Sequence, residues 1–127
     1  MHSLLAITTP FALLSSYATR FELIHALRLS KATRLFVHPK LLPLVLPAAK
    51  EVGISSRKVY VLGAHVRGRQ SFSEMIDHAE THDIPVVPAR PARKDTLAYL
   101  IFSSGTSGLP KGARYCIASV AANLHFV

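Results

Sequence analysis

A motif that marks the start of a helix occurs twice in this chain of 127 residues, and it constrains the fold more than any other sequence feature. Thr19 and Ser71 are each followed three residues later by a glutamate. In this arrangement, the capping box, the hydroxyl and the carboxylate accept hydrogen bonds from backbone N–H groups that the first turn of a helix leaves unpaired. The two motifs therefore predict helices from about 20 to 30 and from 71 to about 82.

Short β-prone runs alternate with these helices. They span 33–37, 58–62 and 96–102, and a further helix is predicted over 40–52, where Gly53 would serve as its C-terminal cap. Strands that alternate with helices are typical of an α/β fold with a mostly parallel sheet. In such folds, ligands bind near the loops that follow the carboxyl ends of the strands.

The spacing of apolar residues predicts the core. Leu4 to Thr8 is interpreted as a buried strand, because Pro10 and several hydroxyl residues interrupt this apolar stretch too often for a membrane-spanning helix. Apolar residues of the first and last predicted helices are expected to face the core. These residues are Phe21, Leu23, Ile24, Leu27 and Leu29 in the first helix, and Phe72, Met75 and Ile76 in the last.

Composition excludes several classes of protein. Half of the residues are hydrophobic and only 17% are charged, which is the opposite of the signature of disorder. The net charge is +8, but the basic residues are scattered rather than interleaved with aromatic ones, so we expect no nucleic-acid partner. Cys116 is the single cysteine, which excludes an internal disulfide and a cysteine-rich zinc site and fits a reducing compartment.

The last third of the chain holds a connector and a loop. Residues 83–95 contain three prolines and are predicted to form an extended connector on the surface. Residues 103–112, SSGTSGLPKG, contain three glycines and four hydroxyl residues and end in Pro-Lys-Gly. Glycines let backbone N–H groups approach phosphate oxygens, and hydroxyls and a lysine add further donors and a positive charge. This pattern predicts a phosphate-binding loop.

Other phosphate and nucleophile motifs do not fit this loop. A Walker A loop requires glycine five positions after its first glycine, where Pro110 stands. Leu109 occupies the place of the last glycine of a nucleophile elbow, which argues against a serine hydrolase.

The loop SSGTSGLPKG resembles the signature of the adenylate-forming (AMP-binding) superfamily, which includes acyl-CoA synthetases, luciferases and nonribosomal peptide adenylation domains. The stretches LRLSKATRLFVHPKLLPLVLPAAKEVGI and DTLAYLIFSSGT are similar to the branch of 4-coumarate-CoA ligases and acyl-CoA synthetases. The resemblance implies the large N-terminal domain of such an enzyme. It also implies that the ATP phosphates are held by Ser103, Ser104, Gly105, Thr106, Ser107, Gly108 and Lys111.

By the same resemblance, a small carboxylic acid is adenylated by ATP with release of pyrophosphate, and CoA then displaces AMP. The implied cofactors are ATP, Mg²⁺ and CoA, with the Mg²⁺ and CoA sites outside this chain. The implied compartment is the cytoplasm or the peroxisome.

The chain also departs from the family pattern. Family members have a histidine soon after the loop where this chain has Ile117, which can neither donate a hydrogen bond nor titrate. The later family segments that bind adenine and ribose and supply the catalytic lysine are also missing. We therefore expect residues 1–127 to be a fragment of the AMP-binding N-terminal domain, with no complete catalytic set and no activity alone. The alternative is a non-catalytic nucleotide-binding or protein-interaction fragment.

Two histidines on the last predicted helix raise a separate hypothesis. His78 and His82 are four residues apart, so they share a helix face and could bind a metal ion together with Asp77 or Asp83. The competing interpretation is two solvated histidines, and the sequence predicts no metal site.

Overall fold

The computed structural model describes residues 1–63, 65–103 and 110–118. The chain divides into two compact units, one formed by Met1–Ser15 and Val86–Val127 and the other by Ser16–Pro85. The helices are α1 (His2–Ala6), α2 (Arg20–Ser30), α3 (Leu42–Glu51) and α4 (Phe72–Thr81), with 3-10 turns at Pro39–Leu41 and Ser56–Lys58. The strands are β1 (Phe11–Leu13), β2 (Leu35–Val37), β3 (Val59–Val61), β4 (Leu97–Ser103) and β5 (Lys111–Cys116).

Both predicted capping boxes are confirmed. The backbone N–H of Thr19 donates to Glu22 at 2.8 Å, and the N–H of Glu22 donates back to the Thr19 hydroxyl at 3.3 Å. At the start of α4, the N–H of Ser71 donates to Glu74 at 2.8 Å and the reciprocal bond measures 3.1 Å. Local sequence therefore sets where α2 and α4 begin.

The unit of residues 16–85 is built on a parallel strand pair. β2 and β3 align Leu35 with Val59 and Val37 with Val61, and these four side chains are buried. Helices α2 and α3 contact each other and bury their own apolar residues, while Arg20 and Arg28 of α2 both bind Glu51 of α3. The buried helix residues are Leu23, Ile24, Ala26 and Leu27 in α2, and Leu42, Val45, Ala48 and Ala49 in α3.

The predicted apolar stripe of α2 is too wide. Phe21 and Leu29 are 68% and 52% exposed, because at about 100° per residue each lies roughly 140° from the centre of the buried arc.

The prediction for α4 is also wrong, since Phe72 and Ile76 are exposed, Met75 is half-buried and none of the residues of α4 is buried. Helical spacing identifies an apolar face but does not guarantee that a neighbouring element covers it.

The predicted strand from Leu4 to Thr8 is wrong as well. Its first residues belong to helix α1, and Thr8 adopts the left-handed conformation, with φ 54°, just beyond that helix. The N–H of Thr9 donates to the Leu4 carbonyl at 2.8 Å across this turn. A short apolar run fits a helix as well as a strand, and the strand lies further on, at β1.

The other unit contains a three-stranded sheet with the order β1-β4-β5. β1 runs parallel to β4 and β5 runs antiparallel to it, and Ala98 of β4 is buried. The α/β class is confirmed, and this sheet is mixed rather than purely parallel.

Residues 84–93 have no regular helix or strand and are exposed. Within the described part of the chain, no helix is long and apolar enough to cross a membrane.

Candidate functional site

The predicted phosphate-binding loop begins and ends on neighbouring strands. Ser103 is the last residue of β4 and Lys111 is the first of β5. Five of the predicted phosphate ligands lie outside the described residues. They are Ser104, Gly105, Thr106, Ser107 and Gly108.

The two described ends of the loop are held together by the sheet. Ser103 pairs with Lys111 and Phe102 with Gly112 in the antiparallel register of β4 and β5. Residues opposite each other in such a ladder have Cα atoms about 4.5–5.5 Å apart. Ser103 and Lys111, the described ends of the loop, therefore lie side by side at one end of this sheet.

Lys111 supplies an exposed positive charge at this point. Lys111, Ala113 and Tyr115 occupy alternate positions of β5 and share one face of the sheet, whereas Arg114 points to the other face. The residues of this unit carry five Lys or Arg side chains and a single carboxylate, that of Asp95. Arg93 binds this carboxylate at 3.1 Å. The net positive charge favours an anionic ligand.

A row of aromatic rings fixes the strand that carries Lys111. Tyr99 of β4 stacks on Phe11 of β1 with ring centroids 5.5 Å apart and on Tyr115 of β5 at 4.9 Å. Stacked pairs across strands stabilise one register over its alternatives. These aromatic residues were not among the predicted site residues. One sequence signal could have identified Tyr115. It follows Lys111 by four positions and Ala113 by two, so all three residues lie on the same face of the strand.

Ile117 lies at the opposite end of the β4–β5 hairpin from Lys111. Its backbone N–H donates to the Thr96 carbonyl at 2.9 Å, and the N–H of Ala118 donates to the Lys94 carbonyl at 3.2 Å. The Thr96 hydroxyl accepts from the N–H of Arg93 at 3.0 Å. These bonds anchor the chain just after β5 to the turn before β4.

The described side chains do not build a multidentate metal centre. Within residues 1–63, 65–103 and 110–118, no group of three or more His, Cys, Asp or Glu is placed to hold a metal ion. The described ends of the loop offer one exposed positive charge, that of Lys111, which can stabilise negative charge on a ligand.

Sequence comparison places the whole chain in one family pattern. Residues 1–127 match the model of a family described as AMP-binding enzyme. The chain is also similar to a linear gramicidin synthase from Brevibacillus parabrevis, with 41% identity over 54 residues. That alignment covers 40% of this chain and 1% of the synthase.

Solved structures show the same fold. The chain is similar to an anthranilate CoA ligase in complex with anthranoyl-AMP, with 25% identity and a TM-score of 0.68 over 83% of this chain and 20% of the ligase. The chain is also similar to a red-emitting luciferase from Phrixothrix hirtus, with 26% identity and a TM-score of 0.69. The match covers 86% of this chain and 27% of the luciferase. A benzoate CoA ligase from Burkholderia xenovorans shares the fold at 19% identity, with a TM-score of 0.66. The match covers 91% of this chain and 21% of the ligase. This chain thus spans less than a third of the length of each of these structures.

Proposed function

This chain belongs to the AMP-binding enzyme family, and from that premise we propose that it contributes the ATP-phosphate-binding segment of an adenylate-forming acid-CoA ligase. In the proposed reaction, a carboxylate oxygen of the substrate bonds to the α-phosphorus of ATP as the bond to pyrophosphate breaks. The thiol of CoA then attacks the acyl carbon, and AMP leaves as the thioester forms.

The observation that carries this proposal is the pairing of Ser103 with Lys111. It fixes both ends of the segment 104–110 and sets an exposed lysine at one of them. Negative charge on the transferring phosphates and the leaving pyrophosphate is stabilised by positioned donors and a cation rather than by covalent chemistry. We assign this role to Lys111 and to the hydroxyl and backbone N–H groups of Ser103, Ser104, Gly105, Thr106, Ser107 and Gly108.

The finer assignment is supported by the likeness to one CoA ligase at 25% identity. We place the chain in the branch of 4-coumarate-CoA ligases and acyl-CoA synthetases, as part of the large N-terminal domain, acting on a small carboxylic acid. Ile117 is half-buried and its side chain cannot exchange a proton, so acid-base handling of that substrate falls to other groups. No ligand for Mg²⁺ is assigned to this chain. The proposed compartment is the cytoplasm or the peroxisome.

Calorimetric titration with ATP tests the role of the loop. Lys111→Ala removes a charge-assisted contact of about 1.5–3 kcal/mol, so the affinity for ATP should fall about ten- to a hundredfold. Arg114→Ala is the matched control, because it removes one positive charge from the same strand on the opposite face. Equal losses in the two variants, or no loss in Lys111→Ala, would contradict the proposal.

A second assay separates phosphate binding from catalysis. A site performs chemistry only when all of its groups are held in place, and this chain spans 20% of the anthranilate CoA ligase that it resembles. The 127-residue chain alone should therefore give no ATP–pyrophosphate exchange with any of a panel of carboxylic acids. Measurable exchange would show that this chain carries a complete site.

A further inference from the structure

The C-terminal end of α4 carries two neighbouring imidazoles. We propose that His78 and His82 form a binding site for a divalent transition-metal ion that accepts imidazole nitrogen, with Zn²⁺ as the representative ion. The site belongs to the unit of residues 16–85. It is therefore independent of the phosphate-binding loop, and neither proposal depends on the other.

The spacing of the two rings suits a shared ion. Both side chains are exposed, and their ring centroids lie 4.1 Å apart with the planes tilted by 42°. In tetrahedral zinc sites the Zn–N bonds of about 2.0–2.1 Å hold two ligating nitrogens roughly 3.3 Å apart. A shared ion requires the two rings to open from this close separation, and exposed side chains can do so by changing rotamer.

A hydrogen bond of His82 favours the tautomer that metal binding requires. Nδ1 of His82 lies 2.9 Å from the backbone carbonyl oxygen of His78. A carbonyl oxygen only accepts hydrogen bonds, so this contact assigns the proton to Nδ1 and leaves the lone pair on Nε2. Metal-binding histidines usually donate their second ring nitrogen to such a carbonyl, which fixes the tautomer and the ring orientation.

The surroundings favour a cation but leave the coordination sphere open. Asp77, Glu80 and Asp83 place three carboxylates within the same short stretch of chain, and their negative potential attracts a divalent ion. Among the described residues no group of three or more ligand-type side chains is gathered for a metal. The ion would therefore have two protein ligands and complete its coordination with water.

Metal binding at this position would stabilise the C-terminal turn of α4. The N–H of His82 donates to the His78 carbonyl at 3.2 Å, and the N–H of Ile84 donates to the Ala79 carbonyl at 2.9 Å. An ion held by both rings spans the same turn. Because two imidazoles in this relationship exist only in the helix, the ion binds the folded state preferentially and stabilises it.

Titration of the full chain with Zn²⁺ tests the proposal. Calorimetry at neutral pH should show one Zn²⁺ bound per chain, and His78→Ala and His82→Ala should each weaken that binding about tenfold or more. The double variant Glu80→His/His82→Ala keeps the total of seven histidines but places the pair two positions apart, on opposite sides of the helix. It should bind no better than His82→Ala. Unchanged affinity in His82→Ala, or wild-type affinity in the double variant, would overturn the site.

NMR spectroscopy of the unmodified chain tests the same site without relying on variants that could fail to fold. Addition of Zn²⁺ should shift the ring resonances of His78 and His82 in NMR spectra, with His82 bound through Nε2 and its Nδ1 proton retained. His2 and His38 serve as internal references and should respond weakly. A uniform response of all histidines would mean that no defined site exists.

Discussion

Tyr99 stacks on Tyr115 across β4 and β5, with ring centroids 4.9 Å apart and planes 17° from parallel. Phe11 stacks on the other side of Tyr99 at 5.5 Å. One side chain therefore links all three strands of this sheet, two of which are more than 80 residues apart in sequence. The position of β5, and hence of Lys111, depends on this ring.

We expect Tyr99→Leu to destabilise the fold by about 1–3 kcal/mol, because it removes two stacked pairs worth about 0.5–1.5 kcal/mol each. Tyr115→Leu removes one pair and should cost about half as much. Urea unfolding followed by circular dichroism measures both. Val86→Ala, at a position 94% exposed, is the control and should change stability by less than about 0.5 kcal/mol. Similar costs for the two tyrosines would argue against a central role for Tyr99.

The capping box of α2 gives a second prediction. Thr19→Ala removes the hydroxyl that accepts from the N–H of Glu22 and should lower stability by about 0.5–2 kcal/mol. Thr19→Ser keeps the oxygen and should retain most of the stability. Urea unfolding distinguishes these outcomes, and an equal loss in the serine variant would show that the hydroxyl contributes little.

The capping box of α4 makes stability depend on pH. A hydrogen bond from the Ser71 N–H, followed by one from the His65 side chain, lowers the pKa of Glu74 below its ordinary value of 4.5. A carboxylate with a lowered pKa in the folded state stabilises the fold above its unfolded pKa, and this contribution is lost as pH falls through the folded pKa.

The stability advantage of the wild type over Glu74→Gln should therefore be complete near neutral pH, begin to fall near pH 4.5, and be lost as pH falls further through the lowered pKa of the folded state. Thermal unfolding from neutral pH down to about pH 3 measures this difference. Glu80→Gln, on the same helix but outside the capping box, is the control. A difference between wild type and Glu74→Gln that stays constant over this range would refute the assignment.

The turn after α3 gives a fourth prediction. Gly53 adopts φ 79°, a left-handed conformation that costs other residues about 1–2 kcal/mol. Gly53→Ala should destabilise the chain by this amount, although no atom beyond the residue itself and its two chain neighbours lies within 4 Å of the added Cβ. Gly53→Asn should cost less, since asparagine tolerates this conformation. Chemical unfolding of the two variants provides the comparison.

Local signals predicted much of this fold. The helices that begin after Thr19 and Ser71 start where their capping boxes predict, because these hydrogen bonds involve residues three apart. Gly53 follows the end of α3 with positive φ, as its position in the sequence indicated. The sequence also located the strands that became β3 and β4 to within two residues at each end.

Features that depend on distant partners could not be predicted in this way. The burial of an apolar residue such as Phe72 depends on which element covers it, and helical spacing carries no such information. The row through Tyr99 requires β1 and β4 to be neighbours. At the candidate site, the motif predicts Lys111 as a phosphate ligand, but its pairing with Ser103 depends on the antiparallel course of β5, which no local pattern indicates.

The ladder between β4 and β5 has a consequence for how the family loop can vary. When two strands already hold the ends of a connection, doubling its length costs only about 0.6 kcal/mol of closure entropy. Stability of the sheet therefore places a weak limit on how many residues join Ser103 to Lys111. In the proposed phosphate-binding role, selection on that number and on the composition of the loop would come from the shape of the bound anion.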